Sequence, residues 1–156
     1  MDQHDVAQIC SNGHVINPRA ESSPQFSKKF CAQCGASTTT QCQQCKANIQ
    51  GEYPGWYRKF PVPAFCSECG APYPWTEAKL QAARDLTQEL EGLDDADKKA
   101  LQGTFDDLVK DTPQTQVAAR KFKKLLSTVG KEGGTALREV LVSVLSETAK
   151  KALGLP

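Results

Sequence analysis

The sequence predicts a small α+β protein, with short strands and tight turns in its first half and about four helices in its second half. Two observations point to this fold class. All seven cysteines of the 156 residues lie before residue 70, and leucine is absent from residues 1–75 but occurs thirteen times in residues 76–156. We therefore predict one domain at 1–75 and another at 76–156. The first is expected to depend on something other than an apolar core.

The helices of the second domain are predicted from N-cap residues that precede apolar residues spaced by three and four. Glycines at 130, 133 and 134 are expected to end the third helix, so that the fourth begins after them. The predicted starts are Thr76, Asp94 or Asp95, Thr112 followed by Pro113, and Thr135. Leu137, Leu141 and Leu145 fall on one face of the fourth helix, where self-association into a homo-oligomer is plausible.

Charge is nearly balanced over the whole chain, with a formal net charge of +1. This balance disfavours a protein that holds nucleic acid through a strong positive field. Residues 76–111 are nevertheless acidic and residues 112–156 are basic. We expect the two to lie against each other, so that the basic cluster Arg120, Lys121, Lys123 and Lys124 is neutralised within the molecule. An external anion is the alternative partner for this cluster.

The cysteines occur in a regular pattern of half-sites. Three pairs have the spacing Cys-x-x-Cys, which turns two thiolates toward one ion, and Cys10 with His14 forms a fourth, wider pair. Since structural zinc takes four nitrogen or sulfur ligands, these eight side chains predict two zinc ions. The pairs are Cys10 with His14, Cys31 with Cys34, Cys42 with Cys45, and Cys66 with Cys69.

An internal repeat favours one grouping of these half-sites. Phe30 to Ala36 and Phe65 to Ala71 share the pattern Phe-Cys-x-x-Cys-Gly-Ala, so each copy is expected to complete one unit. The tandem arrangement places Cys10, His14, Cys31 and Cys34 in site 1, and Cys42, Cys45, Cys66 and Cys69 in site 2. A crossed arrangement, in which the first half-site shares an ion with the third, is the alternative. A short strand is expected within 37–41 to link the two sites.

Catalytic uses of these cysteines are disfavoured by their number and spacing. A redox pair requires a single Cys-x-x-Cys in a strand-helix context, and a catalytic zinc keeps one position open for water. A zinc deaminase requires a His-x-Glu half-site, which is absent. We therefore expect structural zinc and no enzymatic activity.

An aromatic and basic loop lies between the two halves of site 2. Trp56, Tyr57, Arg58 and Lys59 in this loop are candidate partner-binding residues for a protein or a nucleic acid. We favour the interpretation in which the rings of Tyr53, Trp56 and Phe60 fold back to cover the ribbons, because a domain without leucine needs these rings for its own packing. Trp75 is expected to dock against the helices.

Several motifs together resemble a family of small bacterial proteins, a domain of unknown function with a double zinc ribbon and a helical tail. The resemblance implies zinc ligation at the eight positions above and implies no activity. The motifs are Cys10-x-x-Gly13-His14-Val15-Ile16-Asn17, Phe30-Cys31-x-x-Cys34-Gly35, Phe65-Cys66-x-x-Cys69-Gly70, and Pro74-Trp75-Thr76-Glu77.

The function expected from these observations is that of a zinc-binding adaptor with a protein partner. Nucleic-acid binding through residues 53–60 is one alternative, and a regulatory subunit of a neighbouring bacterial enzyme is another. The chain shows neither a secretory signal nor an apolar run long enough to cross a membrane, so a cytoplasmic location is expected. Binding two Zn²⁺ through seven thiolates would change the net charge to about −2, which further disfavours nucleic acid.

Overall fold

The computed structural model of the protein describes residues 4–53, 55 and 59–155. The chain divides into two compact units, Met1–Ala78 and Lys79–Pro156, and each is treated separately below. Helix α1, Pro74–Gln88, begins in the first unit and continues into the second. The predicted fold class, a small α+β protein with short strands first and helices after them, is confirmed.

Three short strands form an antiparallel sheet in the first unit. Strand β1 (Gln8–Cys10) lies between β2 (Val15–Asn17) and β3 (Thr38–Thr39). In β1, Ile9 pairs with Val15 on one side and with Thr39 on the other. Strand β3 lies within the segment 37–41 where the sequence predicted a strand, because threonine favours extended backbone.

The core of this unit is small and contains few aliphatic side chains. Tyr73 stacks on Trp75 with ring centroids 4.6 Å apart, and the Trp75 Nε1 donates a hydrogen bond to the carbonyl of Pro63 at 2.8 Å. Phe60 packs against this cluster, as expected for a ring of the aromatic loop that folds back over the ribbons. The buried residues of the cluster are Ala7, Ile9, Cys42, Ile49, Cys66, Tyr73 and Trp75.

The predicted start of α1 is wrong. The helix begins at Pro74, because proline fits the first helical position, where no N–H donor is needed. Thr76 is therefore inside the helix, and its hydroxyl donates to the carbonyl of Ala64 at 2.8 Å instead of capping. Trp75 is buried within the cluster of the first unit, and its expected docking against the helices stays a prediction.

Six α-helices occur in the described residues where about four were predicted. The second predicted helix is divided into two at Gly103 and Thr104. The Thr104 hydroxyl donates a hydrogen bond to the carbonyl of Leu101, in the last turn before the break. The fourth is divided before Ser146, which caps the last helix through its side chain. The helices after α1 are α2 (Asp95–Gln102), α3 (Phe105–Leu108), α4 (Pro113–Leu126), α5 (Lys131–Leu141) and α6 (Glu147–Ala152).

Helix α4 is the central element of the second unit and packs against α2, α3 and α6. Its predicted N-cap is confirmed, because Thr112 accepts a hydrogen bond from the backbone N–H of Gln114 and Pro113 is the first helical residue. Phe122 of α4 meets Phe105 of α3 edge to face, with ring centroids 6.4 Å apart. These two rings are fully buried at the centre of the helical core.

The predicted self-association face is wrong. Leu137 and Leu141 are fully buried and Leu145 is 6% exposed, so these side chains form part of the helical core. They offer no apolar surface to a second molecule. None of the described helices is long and apolar enough to cross a membrane.

Candidate metal centres

The first half-site lies in the turn between β1 and β2. Cys10 ends β1, and its backbone N–H donates to the carbonyl of His14 at 3.0 Å. Gly13 has a φ of 89°, which a residue with a side chain rarely adopts. The backbone N–H of His14 then points to the Cys10 sulfur at 3.3 Å. This turn places the thiol and the imidazole on the same side.

The three Cys-x-x-Cys half-sites share one backbone conformation. In each, the N–H of the first cysteine donates to the carbonyl five residues later, and the N–H four residues later donates back to the cysteine carbonyl, at 2.8 to 3.0 Å. The residue after the second cysteine has a positive φ in all three. These residues are Gly35 at 75°, Lys46 at 65° and Gly70 at 76°. We call each such turn a knuckle, named by its two cysteines.

The structure brings the eight predicted side chains together in two groups of four. Cys10, His14, Cys31 and Cys34 form the first group, and Cys42, Cys45, Cys66 and Cys69 form the second, with the donor atoms of each group within 4.8 Å of one another. This is the tandem grouping and not the crossed one. In each group the half-sites adjacent in sequence meet.

Three distances in the first group and two in the second match the edges of a tetrahedron around one ion. In the first group, the Nδ1 of His14 lies 3.4 Å from the Cys10 sulfur and 3.5 Å from the Cys31 sulfur, and the Cys10 and Cys34 sulfurs are 3.8 Å apart. In the second, the Cys42–Cys69 and Cys45–Cys66 sulfur pairs are both 3.7 Å apart.

These separations can be compared with those that zinc and a disulfide require. With Zn–S bonds of about 2.3 Å and Zn–N bonds of about 2.0 Å, tetrahedral geometry separates two sulfurs by about 3.8 Å and a nitrogen from a sulfur by about 3.5 Å. A disulfide would instead hold the sulfurs about 2.0 Å apart. All seven cysteines are free thiols. The residues present therefore fit two four-coordinate metal ions.

Hydrogen bonds to sulfur favour the deprotonated form of Cys34 in the first group and of Cys66 in the second. The Asn12 side-chain amide, 3.3 Å from the Cys34 sulfur, and the backbone N–H of Ala36 lower the pKa of Cys34 to about 6. Backbone hydrogen bonds from Cys69 and Glu68 lower the pKa of Cys66 to about 6. Each group thus contains a thiolate near neutral pH, the form that binds a cation.

Each group has a buried side and an exposed side. Cys10 and Cys31 are buried and Cys34 is exposed in the first group, while His14 is half-buried. In the second group, Cys42 and Cys66 are buried beside Tyr73, where burial and the neighbouring Cys66 raise the tyrosine pKa. The second group therefore lies at the edge of the apolar cluster of the unit.

The candidate partner-binding residues of the aromatic loop are not part of the two Cys/His groups. Trp56, Tyr57 and Arg58 lie outside the described residues, and Lys59 is exposed. Tyr53 meets His4 edge to face with ring centroids 5.2 Å apart. The sequence did not predict the roles of Asn12 and Tyr73, although an amide side chain next to a Cys-to-His turn is a usable signal for the first.

The basic cluster Arg120, Lys121, Lys123 and Lys124 lies on α4. Helices α2 and α3, which carry acidic residues, do pack against α4 as expected. However, none of the four cations is within 4.0 Å of a carboxylate among the described residues. Their neutralisation by direct ion pairs is therefore not observed in this part of the chain.

A three-stranded sheet with two Cys/His tetrads, followed by helices, defines a small α+β protein with two candidate metal centres. The chain belongs to the family described as "uncharacterized protein conserved in bacteria (DUF2321)", which matches residues 3–153. This match covers nearly the whole chain and agrees with the resemblance noted from the motifs. A search of curated proteins and a search of solved structures each found no match.

Proposed function

We propose that each tetrad binds one structural zinc ion and that the protein is a non-enzymatic interaction module. The observation that supports the metal is the set of edge lengths in the two tetrads, with Cys₃His and Cys₄ donors that suit zinc. Bound zinc supplies about 10 to 16 kcal/mol of apparent binding free energy per site in small modules. That free energy stabilises a unit whose apolar cluster is small.

Closed coordination supports the non-enzymatic part of the proposal. Each tetrad provides four protein ligands, so an ion held by all four has no open position for water or substrate. A catalytic zinc would need only three of them. We infer that the ions shape the surface of the unit and do not take part in a reaction.

The surface that supports an interaction role comprises residues 26–30, which we call the 26–30 surface. Phe26 is 61% exposed and Phe30 is 56% exposed, in a unit that buries other rings in its core. Exposed aromatic side chains of this kind are typical of contact sites for other proteins.

Polar contacts hold the backbone of the 26–30 surface in place. The Lys28 carbonyl accepts hydrogen bonds from the Gln8 side-chain amide at 2.8 Å and from the Thr38 hydroxyl at 2.7 Å. The Lys28 N–H donates to the Gln8 side-chain oxygen at 3.0 Å. The two phenylalanines are therefore presented on a fixed backbone, which reduces the entropy lost on binding.

The experiment is affinity purification of the zinc-loaded protein from its native host, followed by mass spectrometry. We expect a specific protein partner with the wild type and its loss with the Phe26→Ala/Phe30→Ala variant. Val15→Ala, which truncates an exposed apolar side chain of the first unit outside this surface, is the matched control and should retain the partner. A partner set that is identical for wild type and the phenylalanine variant would contradict the role of this surface.

Nucleic-acid binding is a second candidate, supported by lysines on the same surface. Lys28 and Lys29 lie between the two rings, and the Lys29 ammonium is 6.0 Å from the Phe30 ring centroid. Bases stack on such rings while lysines contact phosphates. Titration of labelled single-stranded and duplex nucleic acid should then show binding that weakens as salt rises. Absence of binding at low salt would exclude this candidate.

A further inference from the structure

A cleft of about 470 Å³ lies within the second unit, between α2 and α3 on one side and α4 on the other. Asp97 and Asp107 line the first side, and Lys121 and Lys124 line the second. The cleft therefore has one acidic wall and one basic wall. We call these the acidic wall and the basic wall.

The walls are held at a fixed spacing by contacts between their helices. The Thr115 hydroxyl of α4 lies 3.2 Å from the Asp107 carbonyl and 2.7 Å from the Lys110 carbonyl, where it donates. Thr115 is fully buried, as are Phe105 of α3 and Phe122 of α4. The opposing charges are thus set apart by the packing of the unit and do not close on each other.

The four charges of the walls have no ion-pair partner within 4.0 Å among the described residues. The second unit does form such pairs elsewhere, as Arg84 lies 3.5 Å from Asp106. The wall charges are therefore available to a ligand. An isolated anion or cation suits only one wall and is repelled by the other.

A second copy of this chain carries charges that match both walls. In a two-fold symmetric dimer, the same patch contacts itself, so the acidic wall of one copy can face the basic wall of the other, twice. The sequence separates acidic from basic residues in the same way as the two walls do, since residues 76–111 are net acidic and residues 112–156 are net basic.

Apolar side chains at the cleft would be covered in such a dimer. Val117 of α4 lines the cleft and is 46% exposed, although it lies on the same helix as the buried Phe122. Ala100 and Leu125 also line it. Burying these side chains adds a favourable term that does not depend on salt.

We propose that the α2/α3/α4 cleft is the interface of a two-fold symmetric homodimer in which acidic and basic walls pair between copies. This inference goes beyond the proposed function and does not rest on it. The accessible cleft also takes the place of the buried leucines 137, 141 and 145 as the predicted self-association surface.

Sedimentation equilibrium of the full zinc-loaded chain, over a wide range of concentrations, tests the proposal. We expect a monomer–dimer equilibrium that weakens as salt rises, because exposed charge pairs are screened. Lys121→Glu/Lys124→Glu should raise the dissociation constant about tenfold or more, since it places like charges across the interface. Asp97→Lys/Asp107→Lys should do the same, and an equimolar mixture of the two variants should restore a dimer.

The matched control is Arg120→Glu/Lys123→Glu, which makes the same charge change on α4 outside the cleft and should leave the dissociation constant unchanged. A second variant, Asp97→Asn/Asp107→Asn, removes the acidic charges without reversing them and should also weaken the dimer. It keeps the test possible if Asp97→Lys/Asp107→Lys fails to fold. A wild type that is monomeric at every concentration, or a mixture that fails to form a dimer, would overturn the proposal. Zinc content and partner capture are measured on the same samples. Loss of the dimer can therefore be distinguished from loss of zinc or of the protein partner.

Discussion

Lys46 occupies a left-handed backbone position that glycine occupies in the two other knuckles. Its φ of 65° is the one positive value at a residue other than glycine among those the structure describes. A residue with a side chain is less stable in this conformation than glycine by about 1 to 2 kcal/mol. Part of this difference is offset because glycine loses more backbone entropy on folding. The Cys42–Cys45 knuckle is therefore held in shape against a local backbone preference.

We predict that Lys46→Gly raises the free energy of unfolding by up to about 1 kcal/mol, whereas Gly35→Ala lowers it by about 1 to 2 kcal/mol. A Cβ at Gly35 would meet no atom within 4 Å, so this substitution tests backbone strain alone. Denaturant unfolding of both variants at the same free zinc concentration measures the effect. A loss of stability in Lys46→Gly would contradict the strain argument.

At the residue scale, the eight donors could be predicted because each half-site is a local turn that sequence spacing reveals. The contact of Asn12 with Cys34 could not, since it joins residues 22 positions apart that meet only after the strands have paired. The exposure of Phe26 and Phe30 was likewise unpredictable. In a unit that lacks leucine, every ring is a candidate for the core until packing assigns it.

At the element scale, packing overrode local sequence signals at the start of α5. Glycine 133 was expected to end a helix, yet it lies inside α5. A Cβ at this position would come within 2.7 Å of the Leu90 side chain. A side chain at this position would therefore have to displace the end of the Leu90 side chain, a contact between elements that no local pattern reports. The Thr112–Pro113 start of α4 was predictable because capping depends on neighbouring residues alone.

The buried position of Leu141 on α5 gives a prediction at this scale. Leu141→Ala should lower the free energy of unfolding by about 2 to 5 kcal/mol, because it leaves a cavity in the helical core. Glu139→Ala, on the same helix and exposed, should change it by less than about 0.5 kcal/mol. Circular dichroism during thermal unfolding measures both. A stable Leu141→Ala protein with altered association would restore this face as an interface.

At the scale of the whole molecule, the two units use different sources of stability. The helical unit buries leucines and two phenylalanines, as the leucine count predicted. The first unit has a small cluster and two Cys/His tetrads, and its fold should depend on metal. The pairing of half-sites is a property of the whole unit, which is why spacing alone left the tandem and crossed arrangements open.

The ratio of zinc to protein chain, measured by native mass spectrometry, tests this account most directly. We predict about two zinc ions per chain for the wild type and about one each for Cys31→Ser and Cys66→Ser. The double variant Cys31→Ser/Cys66→Ser should bind none, because it damages both tandem sites. Under crossed pairing those two cysteines would share a site, and one ion would remain. A wild type without two zinc ions, or a double variant that retains one, would contradict the account.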